Sequence, residues 1–203
     1  STVVNLIPRF YDASAGQVCF FGQNVRKYRR KELRDQIGIV PQKAVLFAGT
    51  VRENMQWGKK DATDEEIWEA LKTAQAEEFI RAKEGGLDAN IEQGGRNLSG
   101  GQRQRLTIAR ALVKKPRVLI LDDSASALDY ATDAALRKAI RQMEGAPTVF
   151  IVSQRTSSLM SADRILVLDD GEATGYGTHE ELLKNCQTYR EIYNSQYGKK
   201  EEA

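Results

Sequence analysis

The sequence predicts an α/β fold, with a mainly parallel sheet and a helical subdomain inserted into it. Short β-branched and aliphatic runs alternate with segments of helical periodicity, which is typical of parallel α/β domains. Residues 50–112 instead carry helical patterns and no convincing strand. The runs predicted as strands are residues 17–21, 37–40, 118–121, 148–152 and 164–168.

Helix and turn signals punctuate these runs. Two residue pairs have the spacing of a capping box, Thr63 with Glu66 and Thr178 with Glu181. Asp129 is suited to cap a helix that runs over residues 130–144. Turn-forming residues at 169–171 stand between apolar runs and predict a hairpin near the end of the core.

Composition limits the classes of partner. The 203 residues, 41% of them hydrophobic, suit one domain with its own core. Thirty Lys and Arg against 28 Asp and Glu leave a net charge of +2, which gives no electrostatic case for nucleic acid. The basic string at 26–31 is followed by Glu32 and Asp35, so we interpret it as a solvated helix start. We therefore expect no nucleic-acid partner.

Two cysteines, Cys19 and Cys186, have no second Cys or His at metal-ligand spacing, so we expect reduced thiols in a cytosolic setting. The apolar runs fall far short of the roughly 20 residues that span a bilayer. The first residues show no basic region followed by a long apolar stretch, so no targeting segment is expected. We expect the chain to begin within a domain.

The first group of chemistry-bearing residues is Leu98-Ser99-Gly100-Gly101-Gln102, which opens a helical apolar pattern. A serine and two glycines at a helix start expose backbone N–H groups at the positive end of the helix dipole, where an anion is stabilised. Alone, the same residues would be a simple helix cap.

The second group is the apolar run 118–121 followed by Asp122 and Asp123. Two carboxylates at a strand end are suited to hold Mg²⁺ and to position water near a phosphate. Alone they would be a capped strand end. Ser126-Ala127-Leu128-Asp129 comes next, and the two groups at this separation form a highly specific pattern.

At these residues the chain resembles the ATP-binding-cassette (ABC) family over essentially its whole length. Residues 98–102 are similar to the signature sequence, 119–122 to the Walker B strand and 126–129 to the D-loop. The resemblance implies a P-loop NTPase (RecA-like) core with an inserted α-helical subdomain. Ser1 and Thr2 then match the end of the Gly-Lys-Ser-Thr phosphate loop, Walker A, with Ser1 as the Mg²⁺-ligating hydroxyl.

On this resemblance we expect the N-terminal β-subdomain to be largely missing from the chain. The alternative is that Ser1 is a cloning residue. The implied organisation is a first core part at 1–49, an α-helical subdomain at 50–112, a second core part at 113–197 and a charged tail at 198–203.

Further segments resemble exporter-type members of the family. Gln42, after the run 37–40, resembles the Q-loop glutamine, which in the family contacts Mg²⁺ or the attacking water; the alternative is a surface loop amide. Residues 46–54 are similar to the exporter segment that follows it. Residues 91–95 stand where exporters have a loop that touches the transmembrane coupling helices, with Gln93 in place of the usual glutamate.

The resemblance implies ATP and Mg²⁺ as cofactors and assigns site residues to three roles. The catalytic residues are Asp123, Gln154 and Gln42. The nucleotide-binding residues are Ser1, Thr2, Gln42, Leu98, Ser99, Gly100, Gly101, Gln102, Asp122 and Asp129. The Mg²⁺ ligands are Ser1, Gln42 and Asp122.

Two positions depart from the family's pattern. Where the family has a glutamate after Walker B, Asp123 is one methylene shorter, which removes about 1.5 Å of reach. Where the family has a switch histidine, Gln154 can hydrogen-bond a γ-phosphate but cannot carry a positive charge or relay a proton. His179, in the first turn of a predicted helix, is interpreted as a surface residue and not as that histidine.

The two departures resemble the degenerate subunit of heterodimeric exporters, in which one of two composite sites hydrolyses slowly. The expected partners are a second, non-identical nucleotide-binding domain, whose site the signature completes, and transmembrane domains reached through coupling helices. The expected location is the cytoplasmic face of the membrane. The alternatives are a soluble family member in translation or DNA repair, and a homodimeric exporter with working variants at Asp123 and Gln154.

Overall fold

The computed structural model describes residues 1–124 and 127–197 and divides the chain into two units, Ser1–Val152 and Ser153–Ala203. The predicted tail at 198–203 and Ser126 of the predicted D-loop lie outside the described residues. No helix in the described part of the chain combines the length and the apolar character needed to span a membrane.

The strands are β1 Cys19–Phe20, β2 Gln23–Asn24, β3 Ile37–Val40, β4 Gly49–Thr50, β5 Asn90–Ile91, β6 Val118–Asp122, β7 Thr148–Val152, β8 Ile165–Asp169 and β9 Glu172–Gly177. The α-helices are α1 Thr2–Leu6, α2 Arg30–Asp35, α3 Val51–Gln56, α4 Asp64–Thr73, α5 Glu77–Arg81, α6 Gly100–Leu112, α7 Tyr130–Arg141, α8 His179–Asn185 and α9 Gln187–Tyr197. Single 3₁₀ turns lie at Val25–Lys27, Gly86–Asp88, Gln93–Gly95 and Thr156–Ser158.

A parallel sheet in the order β3-β6-β7 forms the centre of the first unit. The first four residues of β6 are buried, which explains why this strand reads as an unbroken apolar run. Its register sets Leu121 beside Val40 on one side and Ile151 on the other. The predicted parallel α/β core is confirmed, and all three strands end at one edge.

Two predicted strands lie outside this sheet. The run predicted at 17–21 shortens to β1 and pairs antiparallel with β2. The run predicted at 164–168 becomes β8 and pairs antiparallel with β9 in the second unit. Asp170 and Gly171 form the connecting turn with φ of 46° and 87°, so the predicted hairpin is confirmed.

Residues 50–112 are mainly helical, as predicted. The buried apolar side chains of α3, α4 and α6 pack in one cluster that includes Met55, Ile67 and Leu106. The sequence pattern did not predict strands here, but β4 and β5 pair antiparallel within this region. Two-residue strands carry too little alternation for a period of two to be recognised.

Side-chain caps set the helix starts. Both predicted capping boxes are present, Thr63 with Glu66 and Thr178 with Glu181. Thr50 with Glu53 and Ser99 with Gln102 form two more. Asp129 caps α7 as predicted, and that helix ends at Arg141, before the expected Glu144.

The second unit has a core of its own. The β8–β9 hairpin and helices α8 and α9 enclose Ile165, Val167, Leu182, Cys186 and Tyr189. Cys186 is buried and Cys19, in the first unit, is exposed; both are free thiols, as expected from their spacing.

One buried amide shapes the loop that follows β3. Asn54 is 1% exposed, and its Oδ1 accepts a hydrogen bond of 3.0 Å from the Phe47 N–H. Its Nδ2 donates to the carbonyl oxygens of Phe47 at 2.9 Å and Thr50 at 3.0 Å. The segment with exporter resemblance is therefore closed by a side chain of its own last residue.

We expect Asn54→Ala to lower the free energy of unfolding by about 2–4 kcal/mol, because it leaves backbone groups without a partner in a dry environment. Urea denaturation followed by circular dichroism measures the loss. The matched control is Gln56→Ala on the same helix, since the Gln56 side chain makes no hydrogen bond within the described residues. Equal stability of the two variants would contradict this role.

Candidate functional site

The carboxyl edge of the parallel sheet gathers the first group of predicted site residues. Asp122 is the last residue of β6, and its Oδ1 accepts a hydrogen bond of 2.9 Å from the Ser1 hydroxyl. Ser1 stands at the N-cap of α1, where its side chain makes no capping hydrogen bond. The hydroxyl is therefore directed at the Asp122 carboxylate and not at its own helix.

The Ser1 and Asp122 oxygens fit the coordination of Mg²⁺. Adjacent ligands of an octahedral Mg²⁺ at about 2.1 Å are separated by about 3.0 Å, and these two oxygens are 2.9 Å apart. The described residues contain no group of three or more His, Cys, Asp or Glu side chains suited to a metal. A site with one or two protein ligands matches Mg²⁺, which keeps waters and substrate phosphates as its other ligands.

Asp123 is directed to a different partner from Asp122. Gln42, exposed just after β3, donates from Nε2 to Asp123 Oδ2 at 3.2 Å. The Asp123 backbone has a φ of 46°, and its N–H donates to the Val152 carbonyl at 2.8 Å. Aspartate is among the non-glycine residues that adopt this left-handed conformation most readily. The two adjacent carboxylates are thus separated into a Ser1 pair and a Gln42 pair.

The predicted signature residues form the start of α6. Ser99 is its N-cap: its Oγ accepts from the Gln102 N–H at 3.2 Å, and Gln102 Oε1 accepts from the Ser99 N–H at 3.0 Å. Leu98 is buried. Arg103 Nη1 donates to the carbonyls of Leu98 at 2.7 Å and Gly95 at 3.3 Å, so it holds the chain that enters the helix.

The two signature glycines have different surroundings. A Cβ at Gly101 would lie 3.3 Å from the Ala127 carbonyl oxygen, so α6 approaches the predicted D-loop closely at this point. A Cβ at Gly100 would meet only the tip of Arg103, at 4.0 Å. Among the described residues, the Gly101 side is thus packed more closely than the Gly100 side.

Asp129 is directed to its own helix, α7, and Thr2 lies at the start of α1. The Asp129 carboxylate accepts from Thr132, at 2.9 Å from its N–H and 2.7 Å from its hydroxyl. The backbone hydrogen bond from Thr132, followed by that from its hydroxyl, holds the pKa of Asp129 below its ordinary value. Thr2 is the exposed first residue of α1.

Gln154 and His179 belong to the second unit. Gln154 is exposed, and its carbonyl accepts from Gln196 Nε2 at 2.7 Å. His179 is the first residue of α8, as predicted, and is partly exposed. Its Nδ1 lies 2.8 Å from the Tyr189 hydroxyl, and its ring packs against Tyr189 and Tyr193.

An exposed aromatic surface lies in the segment that follows Gln42. The rings of Phe47 and Trp57 are 4.8 Å apart, and Trp57 is 69% exposed. The Arg110 guanidinium lies 5.5 Å from the Phe47 ring and donates to the Val45 carbonyl at 2.8 Å. Burial lowers the pKa of Arg110. The sequence motifs did not single out Trp57 or Arg110, although an aromatic residue after a helical run was a visible signal.

The first 126 residues match the family model described as ABC transporter. The uncharacterized ABC transporter ATP-binding protein YfiB of Bacillus subtilis is 47% identical over 199 residues, which cover 98% of this chain and 34% of that protein. A putative multidrug export ATP-binding/permease protein of Staphylococcus aureus is 42% identical over 196 residues, with 97% and 34% covered.

A solved structure of a bacterial Atm1-family ABC exporter with ATP bound is 36% identical, with a TM-score of 0.91. It covers 96% of this chain, which in turn covers 34% of that chain. This chain thus spans about a third of the length of the relatives it matches.

The two glycines give a matched stability test. Gly100→Ala should raise the free energy of unfolding by about 0.5–1 kcal/mol, because alanine is the better helix former and its Cβ has room. Gly101→Ala should lose this gain, since its Cβ would crowd the Ala127 carbonyl. Urea denaturation of both variants measures the difference, and equal gains would argue against the close approach at Gly101.

Proposed function

This chain belongs to the ABC transporter family, and we propose that it binds and hydrolyses ATP to power export by a membrane transporter. The carrying observation is the Ser1–Asp122 pair at the carboxyl edge of the sheet, with Gln42 and Asp123 beside it. The names of the relatives, which include export ATP-binding/permease proteins, support a transporter over a soluble ATPase.

In this proposal Ser1 and Asp122 hold Mg²⁺ through their oxygens. Mg²⁺ held there would supply positive charge that neutralises the ATP phosphates. Gln42 and Asp123 are the groups that orient water, because the Gln42 amide donates to the Asp123 carboxylate at 3.2 Å and the two polar groups lie together. A proton from that water passes to an Asp123 carboxylate oxygen.

We propose that hydrolysis at this chain's own site is impaired. Asp123 is one methylene shorter than glutamate, and its left-handed backbone and the hydrogen bond from Gln42 restrict it further. Gln154, in the role that the family gives to a histidine, offers an amide but no positive charge. Both changes reduce stabilisation of the charge that develops at the γ-phosphate.

The signature end of α6 is proposed to complete a partner's ATP site. The Ser99–Gln102 capping box holds the first turn in shape, and the Gly100 side is open. The backbone N–H groups at the start of this helix favour an anion such as a phosphate. We propose that the partner is a second, non-identical nucleotide-binding domain with a competent catalytic pair.

The exposed Phe47–Trp57 surface is proposed to contact the transmembrane domains. Exposed aromatic rings next to an arginine are typical of protein interfaces. The 3₁₀ turn at Gln93–Gly95 is tied to this region, because the Gly94 N–H donates to the Leu46 carbonyl at 3.0 Å. This arrangement supports coupling helices as the partner and the cytoplasmic face of the membrane as the location.

Ser99→Arg in the full transporter should nearly abolish ATP turnover, because it places bulk and positive charge at the signature helix start while leaving this chain's own nucleotide residues unchanged. Steady-state ATPase rates in one lipid preparation measure the effect. Ser99→Thr, which keeps a capping hydroxyl, is the matched control and should retain most of the activity. If a Ser99→Arg transporter kept most of its ATP turnover, the proposal that the signature completes the partner's ATP site would be wrong.

Asp123→Glu combined with Gln154→His should raise hydrolysis at this chain's site, because the pair restores carboxylate reach and an imidazole. The same ATPase assay, with single variants as controls, measures the gain. Asp123→Asn should lower ATP turnover much less than removal of the catalytic glutamate that we expect in the partner domain. Equal losses would make Asp123 a principal catalytic base and favour the homodimeric exporter with working variants.

A further inference from the structure

The backbone that carries Gln154 is held by one side chain of the C-terminal helix. Gln196 lies near the end of α9, and its Nε2 donates to the Gln154 carbonyl at 2.7 Å. Its Oε1 accepts from the Thr156 N–H at 3.0 Å and from the Thr156 hydroxyl at 2.9 Å. A single amide thus binds the chain on both sides of Arg155.

This pattern reproduces the pairing of a parallel strand. A residue in a parallel ladder donates to one residue and accepts from the residue two positions further along its neighbour. Arg155 has the extended backbone that such pairing needs, with φ of −87° and ψ of 113°. An amide side chain carries both the donor and the acceptor, whereas a carboxylate or a thioether lacks the donor.

Thr156 shows why these hydrogen bonds matter. It is 1% exposed with Gln196 in place, and its N–H and hydroxyl both hydrogen-bond the Gln196 amide oxygen. The Ser153 hydroxyl accepts from the Arg155 N–H at 3.0 Å and adds a local turn on the other side of Gln154. The backbone at Gln154 is therefore held by the Gln196 amide and by the Ser153 hydroxyl.

Helix α9 is itself anchored within the second unit, so Gln196 is presented from a supported position. Tyr189 is 2% exposed and its hydroxyl lies 2.8 Å from His179. Arg190 Nη1 donates to the Lys184 carbonyl at the end of α8, at 2.7 Å. The Tyr193 and Tyr197 rings, one helical turn apart on α9, stack on each other with their centroids 4.7 Å apart.

We propose that Gln196 is a positioning residue that holds Gln154 by its backbone, so that the Gln154 amide is available to the γ-phosphate of ATP. This inference rests on the proposed function, since Gln154 meets a phosphate only in an ATP site. ADP lacks the γ-phosphate, so the effect of Gln196 must be specific to ATP. A merely structural residue would affect both nucleotides alike.

The test uses the purified full transporter with Gln196→Met and Gln196→Glu. The methionine removes donor and acceptor; the glutamate keeps an acceptor for Thr156 but loses the donor to Gln154. Gln187→Met is the matched control, because Gln187 is an exposed amide on the same helix whose hydrogen bond within the described residues is to Glu191, at 2.8 Å. The readouts are hydrogen–deuterium exchange over residues 153–158 without nucleotide, and 8-azido-ATP labelling of this chain in competition with ATP or ADP.

We expect exchange at the Thr156 amide to rise at least about tenfold in Gln196→Met, since its hydrogen bond is lost, and to stay closer to wild type in Gln196→Glu. Both variants should weaken competition by ATP about fivefold or more and leave competition by ADP unchanged. In a Gln154→Ala background, neither variant should weaken ATP further, because the two residues act through one contact. Gln187→Met should change none of these readouts.

Three results would overturn the proposal: unchanged exchange in Gln196→Met, equal weakening of ATP and ADP, or full additivity with Gln154→Ala. Failure of the proposed function has a different signature. In that case the unaltered chain takes no 8-azido-ATP label that ATP removes, while the exchange measurement still decides whether Gln196 holds the loop.

Discussion

The parallel pairing of β6 with β3 and β7 is the constraint on which the first unit depends. Because β6 is buried and lies between two neighbours, its register leaves little freedom for the residues that follow it. The carboxyl ends of all three strands meet at one edge, where Asp122 and Asp123 emerge. The hydrogen bond from the Asp123 N–H to the Val152 carbonyl continues the pairing of β6 with β7 one residue beyond β6. The position of both carboxylates follows from strand packing.

Side-chain amides organise loops in both units. An amide can donate and accept at once, so one residue can close a loop or connect two segments. Asn54 does this around Phe47 and Thr50, and Gln196 does it at the Gln154 loop. Gln42 uses its donor toward Asp123, and Gln102 uses its acceptor toward the Ser99 N–H. A carboxylate in place of Asn54 or Gln196 would lose the donor.

The signature helix links the proposed chemistry to the helical region. Its first turn is formed by the Ser99–Gln102 capping box, and its buried face packs with α3 and α4 through Leu106 and its neighbours. Arg103 connects the first turn of α6 to Gly95, the last residue of the 3₁₀ turn at Gln93–Gly95. In the proposed transporter, a transmembrane partner that moves this turn would also displace the helix start, because Arg103 joins the two.

The sequence by itself determined the features that depend on residues close together along the chain. Apolar runs marked β3, β6 and β7, capping-box spacing marked α4 and α8, and the turn residues marked the β8–β9 hairpin, because each signal acts within a few residues. Only the tertiary structure decided which distant side chains meet. Ser1 and Asp122 are 121 positions apart, and Gln42 and Asp123 are 81 apart. The half-burial of His179 and the hold of Gln196 on Gln154 likewise follow from how helices pack within the second unit. Pairings of this kind depend on sheet register and helix docking. The periodicity of one segment carries no information about either.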